Sequence, residues 1–280
     1  MRYPVLPVIT LAMLVAPLFL SAQTPKSSPQ SPAPSATSSA NSGSPPMTPQ
    51  QKMELQARIY MARKQYSDAA GLYLKLATAN PRNPTYWNFL GITKQQMGDL
   101  DAAGKYYQRA TKADKRFADG YSNLGTTWYA RKDYKRAITS YKKAISVQSD
   151  VAGFYTNLGY AYFAQKQMPQ AMDAFHKALA IDPAVFTQND RNGGVMTYQS
   201  VSDRGLFDFM LAKNYAQSGD APHCAVYLKR AFEDGYKDVL KARTDPAFAK
   251  LLSDPDVKAA LELAAPAPPP DTAPAGPSGD

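Results

Sequence analysis

Three consecutive stretches of 34 residues, beginning at Pro84, Ala118 and Ala152, repeat one pattern and abut without a gap. A large aromatic stands at the fourth place (Trp87, Tyr121, Tyr155) and Leu-Gly at the seventh and eighth (Leu90 and Gly91, Leu124 and Gly125, Leu158 and Gly159). Alanine holds the twentieth place (Ala103, Ala137, Ala171), an aromatic the twenty-fourth (Tyr107, Tyr141, Phe175) and alanine the twenty-seventh (Ala110, Ala144, Ala178). A period of this length limits the chain to an array in which each unit buries its apolar face against its neighbours. Within a unit the apolar residues return at i, i+3, i+4 and i+7, the spacing of helices. Glycine inside a helix costs about 1 kcal/mol against alanine. Its return at a fixed place therefore predicts two helices too close there for a side chain, with the alanines of the twentieth place answering from the partner helix.

The blocks resemble tetratricopeptide repeats in period and in the W-L-G-Y-A-F-A-P signature. The block from Ala152 carries all eight signature places, including Tyr162 and Pro183; the block from Ala118 departs at Ser149, and that from Pro84 at Lys94 and Lys115. Extended backwards, the frame finds Met53, Ala57, Tyr60, Ala69, Tyr73, Leu76 and Pro81, with Gln56 in place of leucine as suits a solvent-facing first unit. Extended forwards, it lapses over 186–204 and resumes from Gly205 with Leu211, Ala212, Tyr215, Cys224, Leu228 and Ala231. The resemblance implies an all-α, right-handed helical solenoid of about five helix hairpins: 50–83, 84–117, 118–151, 152–185 and a divergent fifth within 205–263. Asp245 with Pro246, and Asp254 with Pro255, each read as a helix cap followed by a first-turn proline. They predict two short helices closing the end of the stack.

The ends of the chain differ from its middle. Arg2, an apolar run from Val5 to Leu20, then Ser21 and Ala22 have the order of a secretory signal peptide. The run is short of the roughly 20 residues of a spanning helix and is broken by Pro7, Thr10 and Pro17, so cleavage near Ala22 or Gln23 is expected rather than anchoring. Residues 23–49 and 264–280 are rich in Ser, Pro, Ala and Thr and are expected to be disordered. The expected product is exported, periplasmic or associated with the cell envelope.

Little in the chain points to chemistry. One cysteine excludes an internal disulfide and a four-cysteine metal site, and His176 and His223 are the only histidines. Cys224 falls at the small-residue place of the repeat, where a buried, inert thiol is expected. No phosphate-binding glycine loop, nucleophile elbow or paired histidine motif occurs, so no catalytic residue, metal or cofactor is expected. The stretch 186–204, with DRNGG and SVSDRG, is either a functional loop or a spacer between imperfectly packed units; an enzyme with its site there is the least favoured reading.

The formal net charge is +9, and residues 50–185 hold 20 Lys and Arg against 10 Asp and Glu. Between Tyr121 and Ala144, aromatics alternate with cations in a way that suggests a single-stranded nucleic acid site. The repeat frame removes that reading by assigning Tyr121, Trp128 and Tyr141 to buried places and the cations to solvent. No nucleic acid partner is expected, and membrane contact only through an uncleaved N-terminus or the basic face.

The family resemblance implies a concave groove lined by the second, fifth, ninth, twelfth and thirteenth places of each unit. Those are Thr85, Asn88, Ile92, Gln95 and Gln96; then Asp119, Ser122, Thr126 and Tyr129; then Thr156, Tyr160 and Phe163. Asn123 and Asn157, at the sixth place, either bond a ligand backbone or serve local structure. The lysine, arginine and asparagine set of family members that clamp a terminal carboxylate is missing. The expected function is an exported scaffold or adaptor that holds an extended peptide of a protein partner without catalysis. The alternative is a structural component of a cell-envelope assembly, contacting partners through its basic convex face.

Overall fold

The computed structural model describes residues 46–186 and 201–265. The expected signal peptide, most of the linker and of the 186–204 insertion, and nearly all of the C-terminal tail lie outside the described residues.

Among the described residues the chain is all α, in antiparallel pairs. The first hairpin joins α1 (Pro49–Ala62) to α2 (Tyr66–Ala79), the second α3 (Pro84–Gln96) to α4 (Leu100–Ala113), and the third α5 (Ala118–Ala130) to α6 (Tyr134–Val147). The fourth joins α7 (Ala152–Ala164) to α8 (Met168–Ile181), and the fifth α9 (Val201–Ser218) to α10 (Ala221–Glu233). Two 3-10 turns, Val239–Arg243 and Pro246–Phe248, and a final helix α11 (Pro255–Leu263) follow. Each helix packs chiefly against the helices before and after it in the chain, the pattern of a solenoid.

Local chemistry sets the ends of the helices. Asn83, Asp99, Asp133, Asp220 and Asp254 each accept a hydrogen bond from a backbone N–H of the first turn that follows, satisfying donors a helix leaves open. Thr48 and Gln51 bond reciprocally around Pro49 to begin α1. Asp245 and Pro246 begin a turn of three residues rather than an α-helix, so of the two expected capping helices only the one after Asp254 is α.

Every hairpin turns in the same way. Lys64, Gly98, Lys132, Lys166 and Gly219 follow the first helix in the left-handed region, with φ of 58°, 82°, 60°, 59° and 78°. The next N–H bonds back across the last turn, as in Gln65 to Tyr60 O at 2.8 Å and Asp133 to Trp128 O at 2.9 Å. This six-to-one closure requires one left-handed residue, which glycine adopts freely and lysine does not.

The repeated glycines sit where helices meet, though against different atoms than the sequence suggests. A Cβ on Gly91 would stand 2.5 Å from the Tyr107 ring, and one on Gly125 2.6 Å from the Tyr141 ring. Gly159 faces Phe175 in the same manner. The glycine thus receives the aromatic of the twenty-fourth place, while Ala103, Ala137 and Ala171 are fully buried alongside. The fifth hairpin attaches to the fourth through Phe207, whose ring lies 5.5 Å from Tyr160, 5.6 Å from Phe163 and 5.5 Å from Phe175. Phe186, at the start of the insertion, is buried against Phe175 at 5.5 Å.

Candidate partner-binding surface

The first helices α3, α5 and α7 bring the expected groove residues into successive rows, and the packing between rows sorts them. Asn88, Ser122 and Thr156, all from the fifth place, are buried. Asn123 Nδ2 donates to Asn88 Oδ1 at 2.9 Å, tying α5 to α3. Thr156 Oγ1 donates to Ala152 O within α7 at 3.1 Å. These three stabilise the stack from within rather than line an open surface, because the fifth place points between consecutive hairpins.

The aromatic candidates are buried too. Tyr129 is 9% exposed and its ring lies 5.2 Å from Tyr134 across the turn. Tyr160 and Phe163 are covered by Phe207 of the fifth hairpin. The expectation that Tyr129, Tyr160 and Phe163 line an open groove is corrected by these contacts. Sequence spacing located the positions but carried no signal for what a divergent, displaced hairpin would cover.

What stays accessible is polar and small. Ile92, Gln95, Gln96, Asn123, Thr126 and Asn157 are half-buried, while Thr85 and Asp119 are exposed. Gln95 Oε1 accepts from Tyr107 Oη at 2.9 Å, and Thr126 Oγ1 accepts from Tyr141 Oη at 3.2 Å. The buried tyrosine of each hairpin therefore anchors a groove residue and leaves the Gln95 amide donors pointing elsewhere. Asn123 and Asn157 occupy equivalent places, yet Asn123 is engaged with Asn88 and the Asn157 amide has no hydrogen-bond partner among the described residues.

The other stretches weighed for chemistry have structural employment. Cys224 is fully buried, and burial, with the nearby charges of Asp220 and Asp254, pushes its thiol up to about 12. His223 Nδ1 lies 2.7 Å from Asp220 Oδ2 and its ring stacks on Tyr215 at 4.9 Å. Among the described residues, no group of three or more His, Cys, Asp or Glu is placed to hold a metal ion. No described helix is long and apolar enough to cross a membrane.

Trp128 and Tyr121 are half-buried rather than buried. Arg136 and Arg131 lie over the Trp128 ring at 4.8 and 5.4 Å, and Lys143 lies over Tyr121 at 5.9 Å. Cation and ring thus belong to one arrangement, which the alternating sequence pattern foreshadowed without giving its geometry.

The family models that match this chain agree with this architecture. A tetratricopeptide repeat model matches residues 54–114, a TPR repeat model 125–166, and a further tetratricopeptide repeat model 152–184. Among solved structures, MamA 41-end from Desulfovibrio magneticus RS-1 is 17% identical, covering 66% of this chain and 93% of its own, with a TM-score of 0.48. The Sgt2 TPR domain from Aspergillus fumigatus is 26% identical over 44% of this chain and 82% of its own, with a TM-score of 0.40. TTC0263, a thermophilic TPR protein of Thermus thermophilus, is 17% identical over 77% of this chain and 98% of its own, with a TM-score of 0.45. No curated protein gives a significant match. Repeats of this kind are typically non-catalytic scaffolds for protein–protein contacts. With those models matching residues 54–114 and 125–184, and with the described helices paired hairpin by hairpin, the segment from the first hairpin through the fourth is built of tetratricopeptide repeats.

Proposed function

We propose that this chain is an exported scaffold that holds an extended segment of a partner protein along α3, α5 and α7. The reading rests on the Asn157 amide, half-buried and without a hydrogen-bond partner among the described residues, with Thr126 and Gln95 half-buried on the two preceding first helices. An amide offers both a donor and an acceptor, the pair that an extended peptide backbone presents in return. Because the helices are already assembled, binding orders the partner segment alone, which lowers the entropic cost of association. The neutral side chains beside it select for hydrogen bonding and shape rather than for a terminal carboxylate.

Export is supported by the charged start, apolar run and small-residue exit of residues 1–22. Cell fractionation with amino-terminal sequencing tests it, and a cytoplasmic product retaining Met1 overturns it. For the groove, affinity capture with the wild-type chain is compared with an Asn157→Ala, Gln95→Ala variant, since the buried Tyr129, Tyr160 and Phe163 are needed for folding. Loss of specific partners in the variant supports the reading. Identical partner sets sink it.

A further inference from the structure

Exposed charge is unevenly spread over the second helices of the hairpins. α4 shows Lys105, Arg109 and Lys112 to solvent, and α6 shows Lys135, Arg136, Lys142 and Lys143. α6 contains no carboxylate. Two neighbouring acids are already engaged: Asp101 pairs with Arg131, and Asp133 with Arg136 at 3.3 Å. Both α4 and α6 pack against α5, so they border one strip with the half-buried Trp128 between them.

Several of these cations rest on rings. Arg109 lies 4.9 Å from Trp87 and 5.7 Å from Tyr106, two rings stacked at 6.1 Å. Lys143 lies over Tyr121, and Lys142 lies 5.5 Å over Tyr162 of the next hairpin. A cation held on a ring gives up side-chain freedom before any ligand arrives, yet keeps its N–H donors outward. Beside Arg109 opens a cavity of 310 Å³, which Lys105, Tyr106, Asp99 and Asp101 also line.

We propose that the strip bordered by α4 and α6 docks an acidic polypeptide segment, independently of the groove. Its carboxylates meet Lys105, Arg109 and Lys112 on one side and Arg136 and Lys143 on the other. Lys105 and Lys112 are two helical turns apart, about 10 Å, a span that carboxylates at every third residue of an extended chain match at about 3.3 Å per residue. Stacking on nucleic acid bases needs free ring faces, whereas those of Trp87, Tyr121 and Trp128 carry cations.

The test uses a fluorescein-labelled peptide of four Glu-Ala-Ala units, titrated with the whole purified chain and followed by fluorescence anisotropy at low salt. A Lys105→Glu, Lys112→Glu variant, neither of whose sites rests on a ring, is expected to bind about tenfold more weakly or worse. Circular dichroism verifies that it stays folded, and Asn157→Ala is expected to bind like the wild type. Failure of the wild-type chain to bind the peptide overturns the proposal, as does equal binding by the charge-reversed variant. Binding to phosphatidylglycerol vesicles or to an oligothymidine under conditions where the peptide stays free also overturns it.

Discussion

Asp208 is expected to make the fifth hairpin less stable as pH rises from acid to neutral. The residue is 3% exposed on α9. Burial, and then a hydrogen bond to the Asp234 carboxyl that ends α10, raise it from 3.8 to about 7 against the opposing pull of Arg230 and Arg204. Arg204 Nε sits 2.8 Å from Asp234 Oδ2. Because the folded value is the higher one, the stabilising proton is bound in both states below about pH 4 and is lost from the folded state as pH rises through about 7. A shift of roughly three units corresponds to about 4 kcal/mol at most. Asp208→Asn keeps a neutral donor toward Asp234 at every pH. Urea unfolding followed by circular dichroism at pH 5 and pH 8 should then show the variant ahead of the wild type at pH 5 by less than half of its lead at pH 8. A variant that parallels the wild type at both pH values, or is weaker at pH 8, would refute the reasoning.

Other substitutions test the packing directly. Gly125→Ala drives a Cβ into the Tyr141 ring and should cost about 1–3 kcal/mol, whereas Gly71→Ala on the exposed face of α2 meets nothing within 4 Å and should raise the melting temperature by the propensity gain of about 1 kcal/mol. Lys132→Gly releases a side chain from left-handed backbone and should stabilise the third hairpin by about 1 kcal/mol, read from the thermal midpoint. The Cys224 thiol should resist iodoacetamide at pH 8 in the native protein and react once urea unfolds the chain; rapid native labelling would contradict its burial.

Much of this architecture was legible because each feature of it recurs. Gly91, Gly125 and Gly159 could be read as points of close approach since a single unexplained glycine became three at one place. That they accept the rings of Tyr107, Tyr141 and Phe175 rather than an alanine was not legible, because spacing shows which residues share a face and not which atoms meet across it. The groove was harder. Tyr160 and Phe163 stand where the family leaves residues open, and they are covered by Phe207, which follows a segment that breaks the period. The bond between Asn123 and Asn88 separates Asn123 from Asn157, although both occupy the same place of the repeat. Such distinctions arise from contacts between units that are not identical, and a periodic pattern averages them away.

Phe207 also governs how the molecule shares its stability. In a one-dimensional stack, cooperativity passes from unit to unit only through the interface between them. Between the fourth and fifth hairpins that interface is served by Phe207 on Tyr160, Phe163 and Phe175, with Asn214 Nδ2 reaching Met172 Sδ at 3.4 Å. Phe207→Ala is therefore expected to weaken the coupling between the four leading hairpins and the closing module, read as a broadening or splitting of the thermal transition in a calorimetric scan.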